Sequence, residues 1–458
     1  NMTLSYIPSD TNDEGILKAT ASGILPNGKP VVVNANGTVS VAAGTSVSSN
    51  VGTSSQYNAG VSGDNQVAFD SSANKFVVAY RDGSNSNRGT AVVGTVSGTN
   101  ISFGTPVVFD TSYIDQITIS FNSSVNKMLI AYRDGSTSRA IAGTVSGTSI
   151  SFGSPSNFAN NCVSMSQAYD SSSAKSVIAY RDVTSSNYGR AVTAAINAST
   201  SAVTFGTPVV FESAITQHTS AAFDSVNNKI VIAYQDNGNG SKGTSVVGTV
   251  SGTSISFGSP VIFYANTMVR TGCTFDSAAE KVVIMFDAVT DAGMRAIVGT
   301  VSGTSISFGT NVLVDARNPS TFISGTFDST AGKVTFAYAD SANAAHGTLI
   351  SGTVSGTSIT FDTPVVFDGA GERSTNFGTA FDSNANQVII AYHENYSNVS
   401  GRAVLFRNAY TSTNLTAENY IGISTGGTYA SGSTATVKII GNTSNEQSSL
   451  TAGQSYFV

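Results

Sequence analysis

QVAFDSSANKFVVAYRDGSNSNRGTAVVGTVSGTNISFGTPVVF, residues Gln66–Phe109, is the stretch on which the reading of the fold turns. It divides into four short strands. The first is the alternating run into Phe69-Asp70. A tight turn follows at Asp70-Ser71-Ser72-Ala73-Asn74, where an Asp side chain can accept hydrogen bonds from backbone two residues on. Phe76–Tyr80 is apolar and suits a second strand, and Thr90–Val96 suits a third. Between third and fourth lies Ser97-Gly98-Thr99, with glycine supplying a positive φ. Ile101–Phe109 is the fourth. Pro106 restricts it to an edge, or to a strand that starts afresh after the proline.

The same wording returns seven times, at Phe69-Asp70, Phe121-Asn122, Tyr169-Asp170, Phe223-Asp224, Phe275-Asp276, Phe327-Asp328 and Phe381-Asp382. A period of about 50 residues with four strands in each copy predicts an all-β, seven-bladed β-propeller with four-stranded blades. The blades are expected to start near residues 66, 118, 166, 220, 272, 324 and 378. The seventh copy lacks its fourth strand. Gly37–Ser48 resembles the last quarter of a repeat, so residues 35–48 are expected to complete the last blade, which would remove two unpaired edges. The resulting division is 1–34 as an amino-terminal hairpin turning at Pro26-Asn27-Gly28, 35–413 as the propeller, and 414–458 as a small β module or connector. That module contains a strand at Thr434–Ile440, and the chain reads as a piece of something longer.

Composition narrows the function. Only 11% of residues are charged, the net charge is -6, and there is no Trp. An acidic balance argues against nucleic acid as partner. No run of 18 apolar residues suggests a helical membrane span. Cys162 and Cys273 fall two repeats apart and read as two free buried thiols.

The turns between strands one and two and between strands three and four are nearly constant. The loops between strands two and three and between blades differ from copy to copy. One face is therefore uniform scaffold, and the other is individually shaped and is where a ligand is expected. The candidates on that face are Arg81, Arg133, Arg181, Tyr113, Tyr188, Tyr264, Tyr396 and His393. Arg81, Arg133 and Arg181 stand out because only the first three copies carry Arg there. Strand two also ends in an acid in every copy (Asp82, Asp134, Asp182, Asp236, Asp287, Asp340, Glu394). Each faces a basic residue or His near the start of strand three (Arg88, Arg139, Arg190, Lys242, Arg295, His346, Arg402), as cross-strand pairs would.

No catalytic residues are assigned, and no cofactor or metal is expected. His218, His346 and His393 have no metal-ligand spacing. The repeated wording VSGTSISFG contains no Gly-x-Ser-x-Gly elbow, and the aspartates of the Phe/Tyr-Asp pairs do not match the Ser-x-Asp-x-Gly-x-Thr-Trp box of sialidase propellers.

The repeats, and more tellingly the flanks LKATASGILPNGKPVVVNANGTVSV and NLTAENYIGIS…ATVKIIG…LTAGQSYFV, resemble repeat-bearing tail-fibre and virion-appendage proteins of marine tailed bacteriophages. The resemblance implies a non-enzymatic structural or host-recognition role at the virion surface. The implied partners are other virion proteins or a host-surface glycan or receptor, with self-association as a further expectation. A bacterial surface lectin or adhesin and a propeller glycosidase stay open as alternatives.

Overall fold

The computed structural model describes residues 16–291, 293–316, 322–368, 373–395, 399–415 and 420–439. These fall into two compact units. One is Ser49–Asn408; the other joins the two chain ends, up to Ser48 and from Ala409.

In the larger unit each repeat forms an antiparallel sheet. The first sheet runs from an inner strand Ser62–Asp70 through Lys75–Asp82 to Arg88–Ser97. Its fourth place is taken by two pieces, Asn100–Phe103 and Val107–Asp110, both paired with the third strand. The break falls at Gly104–Pro106, so the outer strand does start afresh after the proline, whose missing N–H would have interrupted a continuous ladder. Repeats three to five are continuous through two 16-residue strands, Val209–Asp224 and Val261–Asp276, each leaving one sheet as its outer strand and entering the next as its inner strand.

The recurrent Phe-Asp pair is a turn device. Asp70 Oδ1 accepts from Ser72 N and Ala73 N, both at 2.9 Å. The same clamp appears at Asp224, Asp276, Asp328 and Asp382.

The core lies between neighbouring sheets. A fully buried aromatic near the end of each second strand (Tyr80, Tyr132, Tyr180, Tyr234, Phe286, Tyr338 or Tyr392) fills the gap. An aromatic from the preceding outer strand usually packs on it: Phe109 on Tyr132, Phe158 on Tyr180, Phe211 on Tyr234, Phe263 on Phe286, Phe367 on Tyr392, with centroids 5.2–5.7 Å apart. Cys162 and Cys273 are free and buried.

The expected role of residues 35–48 is corrected. Val39–Val41 pairs with Pro30–Val33, and Gly44–Val47 pairs with Tyr410–Thr413, all within the smaller unit. The strands that fill the outer place of the seventh sheet are Asn50–Val51 and Ser55–Asn58, paired with Ser400–Arg407. The reason is aromatic packing. Tyr57 stands where Phe109 stands in the first sheet, and its ring lies 5.1 Å from that of Tyr80 in the first repeat. Val39 has no comparable aromatic two positions on and instead joins the core formed by Leu25, Val31 and Val437. The backbone matches too: Gly52 N donates to Leu405 O at 2.8 Å, as Gly104 N does to Val93 O at 2.9 Å.

The hairpin expected over 1–34 is also corrected, and the described part of the small β module expected over 414–458 pairs with those same residues. Ile16–Thr20 pairs with Thr434–Ile439, and Pro30–Val33 with Tyr420–Thr425. The two chain ends thus build one five-stranded sheet in which Ile16–Thr20 and Pro30–Val33 are separated by the two carboxy-terminal strands and Val39–Val41 lies at the edge beyond Pro30–Val33. Leu25 bridges to Tyr429, so the Pro26-Asn27-Gly28 turn leads between non-neighbouring strands.

Candidate functional site

Six of the inner strands carry a register shift against their second strands, for example between Gly63 and Gln66 and between Asp115 and Thr118. At or beside that place every copy holds one residue at positive φ: Asp64 (52°), Gln116 (56°), Ser164 (50°), His218 (51°), Arg270 (51°), Phe322 (47°) and Asn376 (55°). Each lies five residues before the repeat's aromatic. Left-handed backbone costs an ordinary L-residue roughly 1–2 kcal/mol, less for Asn and Asp, and glycine occupies it freely. None of the seven is glycine, in a chain with 45 glycines.

These residues gather at the end of the inner strands from which the second-to-third loops leave. A cavity of about 310 Å³ is lined by Asp64, Gln116, Ser164, His218, Phe322 and Asn376 among others. A second, of about 360 Å³, shares His218 and Phe322 with it and adds Arg270. Polar rungs tie neighbouring inner strands beneath. Ser166 and Thr219 hydroxyls meet at 3.0 Å, Thr271 Oγ1 donates to His218 O at 2.5 Å, and Ser324 and Thr379 meet at 2.9 Å. Asn65 Nδ2 donates to Asn376 O at 3.1 Å, joining the first inner strand to the seventh.

The three expected arginines do reach this region but differ in state. Arg81 donates from Nε to Asp64 at 3.1 Å and from Nη1 to Asn87 at 3.0 Å, with its guanidinium 5.8 Å from the Tyr113 ring centroid. Arg133 is clamped on Asp115 and donates to Asn161 at 2.8 Å. Arg181 has neither an acid nor a hydrogen-bond partner among the described residues; Val163 stands across from it where Asp115 faces Arg133. Burial, and then the Arg133 charge, lower its proton affinity. Of the three, Arg81 and Arg133 are neutralised by Asp64 and Asp115, and Arg181 is without an acid among the described residues. The acids that neutralise the other two lie 17 and 18 residues upstream, where only the fold reveals them.

The fifth copy reverses the first. Arg270 donates to Asp287 at 3.1 Å, the same two positions as Asp64 and Arg81 with the charges exchanged. Asp287 faces Val269, as Arg81 faces Gly63, so it does not terminate strand two as its counterparts do. Four arginines and three aspartates at these positions leave one positive charge in a protein of net charge -6. Burial pulls the His218 imidazole down to about 4, helped by Arg270 and Arg181, so it is neutral near pH 7. Burial raises Asp64 while Arg81 opposes the shift.

The expected acid–base pairs at the start of strand three divide. Asp134–Arg139 at 2.9 Å, Asp182–Arg190 at 3.2 Å and Glu394–Arg402 at 2.5 Å are ion pairs. Asp82 and Asp340 instead cap the following loop through Ser84 N and Ala342 N. His346 pairs with Asp368 at 2.9 Å.

Two other candidates are corrected. Tyr264 is buried on Phe286 and donates to Asp291 at 2.6 Å. His393 is buried, with Nδ1 accepting from Ser62 N at 3.4 Å. Both fill space between sheets. Tyr113 is 54% exposed and Tyr188 half-buried; Tyr396 lies outside the described residues. The seven positive-φ positions were not expected. They share a spacing, five residues before each aromatic, but no residue type that announces positive φ.

The asymmetry among the arginines has a measurable consequence. Arg133→Gln strands the partly buried Asp115 and is expected to cost about 1–2 kcal/mol. Arg181→Gln removes a cation with no partner and is expected to change stability by less than about 0.5 kcal/mol, or to raise it. Urea midpoints of the two variants read the difference; equal losses would contradict it.

Among the described residues no group of three or more His, Cys, Asp and Glu could hold a metal ion. No protein-family model matches the sequence, and no curated protein matches it. Solved structures resemble the chain at low identity. They include the Dos1 propeller, with 12% identity over 79% of this chain and 96% of that one and a TM-score of 0.48. Sqt1 of Chaetomium thermophilum, described bound to the N-terminus of a ribosomal protein, gives 9%, 78%, 98% and 0.48. The NanB sialidase of Streptococcus pneumoniae gives 10%, 76%, 68% and 0.45. Similarity of this depth concerns the fold alone.

Proposed function

We propose that residues 49–408 form a closed seven-bladed propeller that acts as a non-enzymatic binding module, with its ligand seated in the mouth ringed by Asp64, Gln116, Ser164, His218, Arg270, Phe322 and Asn376. Closure is supported by the Asn65–Asn376 rung and by Tyr57, which belongs to the seventh sheet and packs on the first repeat. Binding is supported by one observation above the rest. Seven equivalent left-handed positions, each best suited to glycine, carry seven different side chains on an otherwise uniform frame. Backbone strain retained in this way clusters at functional sites. In keeping with the resemblance of the flanks, the module is assigned to a virion appendage, and the ligand to a host surface.

Phe322 gives the test, since an aromatic at positive φ is the most strained of the seven. Phe322→Gly is expected to keep or raise stability, by up to about 1 kcal/mol. It is also expected to abolish retention on an array of bacterial surface glycans. An unchanged binding pattern would contradict a ligand in the mouth.

A further inference from the structure

Resting on that reading, we propose that the mouth takes an acidic sugar: a hexose ring carrying a carboxylate, seated between Phe322, Arg270 and His218. Three independent features converge there. Phe322 is 46% exposed, and its ring borders the cavity of about 360 Å³ together with Thr219, Thr271 and Ile323. That volume is in the range of small-molecule sites. An exposed aromatic beside such a cavity offers a flat apolar face to the C–H face of a sugar ring.

Arg270 lines the same cavity. Its Nη1 is committed to Asp287, and its other guanidinium N–H groups have no partner among the described residues. A guanidinium presents five N–H donors in a planar fork that matches a carboxylate. Arg181 adds a second positive charge close enough to act on His218, with no acid to cancel it.

His218 supplies the third feature. Its ring nitrogens have no hydrogen-bond partner among the described residues, and it lines both cavities. A neutral imidazole carries one donor and one acceptor, the complement of a hydroxyl that both donates and accepts. Aromatic face, partly free guanidinium and neutral imidazole together describe a ring bearing hydroxyls and a carboxylate. A neutral sugar would leave the Arg181 charge uncompensated and the remaining Arg270 donors without a carboxylate to bind, and a simple anion would leave the Phe322 face unused.

The test is calorimetric titration of the intact chain with trimers of galacturonate, glucuronate and mannuronate, with the neutral galactose, glucose and mannose trimers, and with sodium sulfate. At least one uronate trimer is expected to bind at least tenfold more tightly than its neutral counterpart. Phe322→Gly should weaken it about tenfold or more, in line with the loss of an aromatic contact. Arg181→Gln should weaken it several-fold and flatten its salt dependence. Neutral trimers binding as tightly, in a Phe322-dependent manner, would overturn the acidic-sugar assignment while leaving the mouth as the binding site. Sulfate displacing the uronate at equal concentration would overturn the sugar assignment in favour of a plain anion site. No binding by any uronate trimer would overturn the inference. Binding of any sugar that ignores Phe322→Gly would overturn the placement in the mouth as well.

Discussion

Tyr57→Ala is expected to lower the stability of the Ser49–Asn408 unit by about 3–5 kcal/mol, the range for truncating a buried aromatic. Tyr57 is 7% exposed and packs on Tyr80 and Phe103, with centroids 5.1 and 5.7 Å away. Its hydroxyl donates to Tyr392 O at 3.4 Å, so one side chain touches the first and the seventh repeats. A cavity here opens next to Val67, Phe76, Ala391 and Leu405, side chains from both sides of the seam. The effect should therefore match that of Phe109→Ala or Phe211→Ala between interior repeats. Val39→Ala changes the other unit's core and should leave the main urea transition in place. If Val39→Ala moves that transition and Tyr57→Ala does not, the closing strand has been misplaced.

Gly378→Val is the second large effect. A Cβ at Gly378 would sit 2.8 Å from Gln66 Cα, 2.9 Å from Asn65 O and 2.9 Å from Val67 N. All three are backbone atoms of the first inner strand, so no side chain can rotate away and the two strands must part. At the equivalent position the other copies carry Gln66, Thr118, Ser166, Ser220 and Ser324, and only the fifth shares the glycine, at Gly272. Overpacking typically costs 1–3 kcal/mol, and backbone contacts place this one at about 2–3 kcal/mol or above. Thermal unfolding reads it. A variant as stable as the parent would show that the first and seventh inner strands are not neighbours.

Much of this architecture was legible in the wording of the repeat. The Asp-Ser turns, the positive-φ glycine of Ser-Gly-Thr and the restart after Pro106 follow from local backbone chemistry, which adjacent residues decide. The identity of the strands that complete the seventh sheet did not follow. Gly52-Thr53 with Tyr57-Asn58 matches Gly104-Thr105 with Phe109-Asp110. Tyr in place of Phe and Ser54-Ser55 in place of Pro-Val obscured the match, while Gly37-Thr38-Val39 imitated it. Only burial separates them: Tyr57 has a neighbouring repeat to fill, and Val39 has the smaller unit's core.

The site was legible in part. The variable face and its arginines could be read from the differences among copies. The partners of those arginines could not, because Asp64 and Asp115 reach them across a strand pair. The seven positive-φ positions were hidden by residue type. Positive φ is usually announced by glycine, and here Gln116 and Arg270 adopt it because a bulge between paired strands imposes it. His393 and Tyr264 misled in the opposite direction, since polar aromatics in variable stretches can equally serve as buried filling.

The seven positions form one mouth only if residues 50–58 close the ring, and amide hydrogen exchange of the intact protein tests this most directly. Gly52 N–H, bonded to Leu405 O, is predicted to exchange as slowly as its counterparts at Gly104, Gly153, Gly206, Gly258 and Gly309, which make the same bond in their own sheets. Rapid exchange at Gly52 with the other five protected would contradict closure, and with it the single mouth.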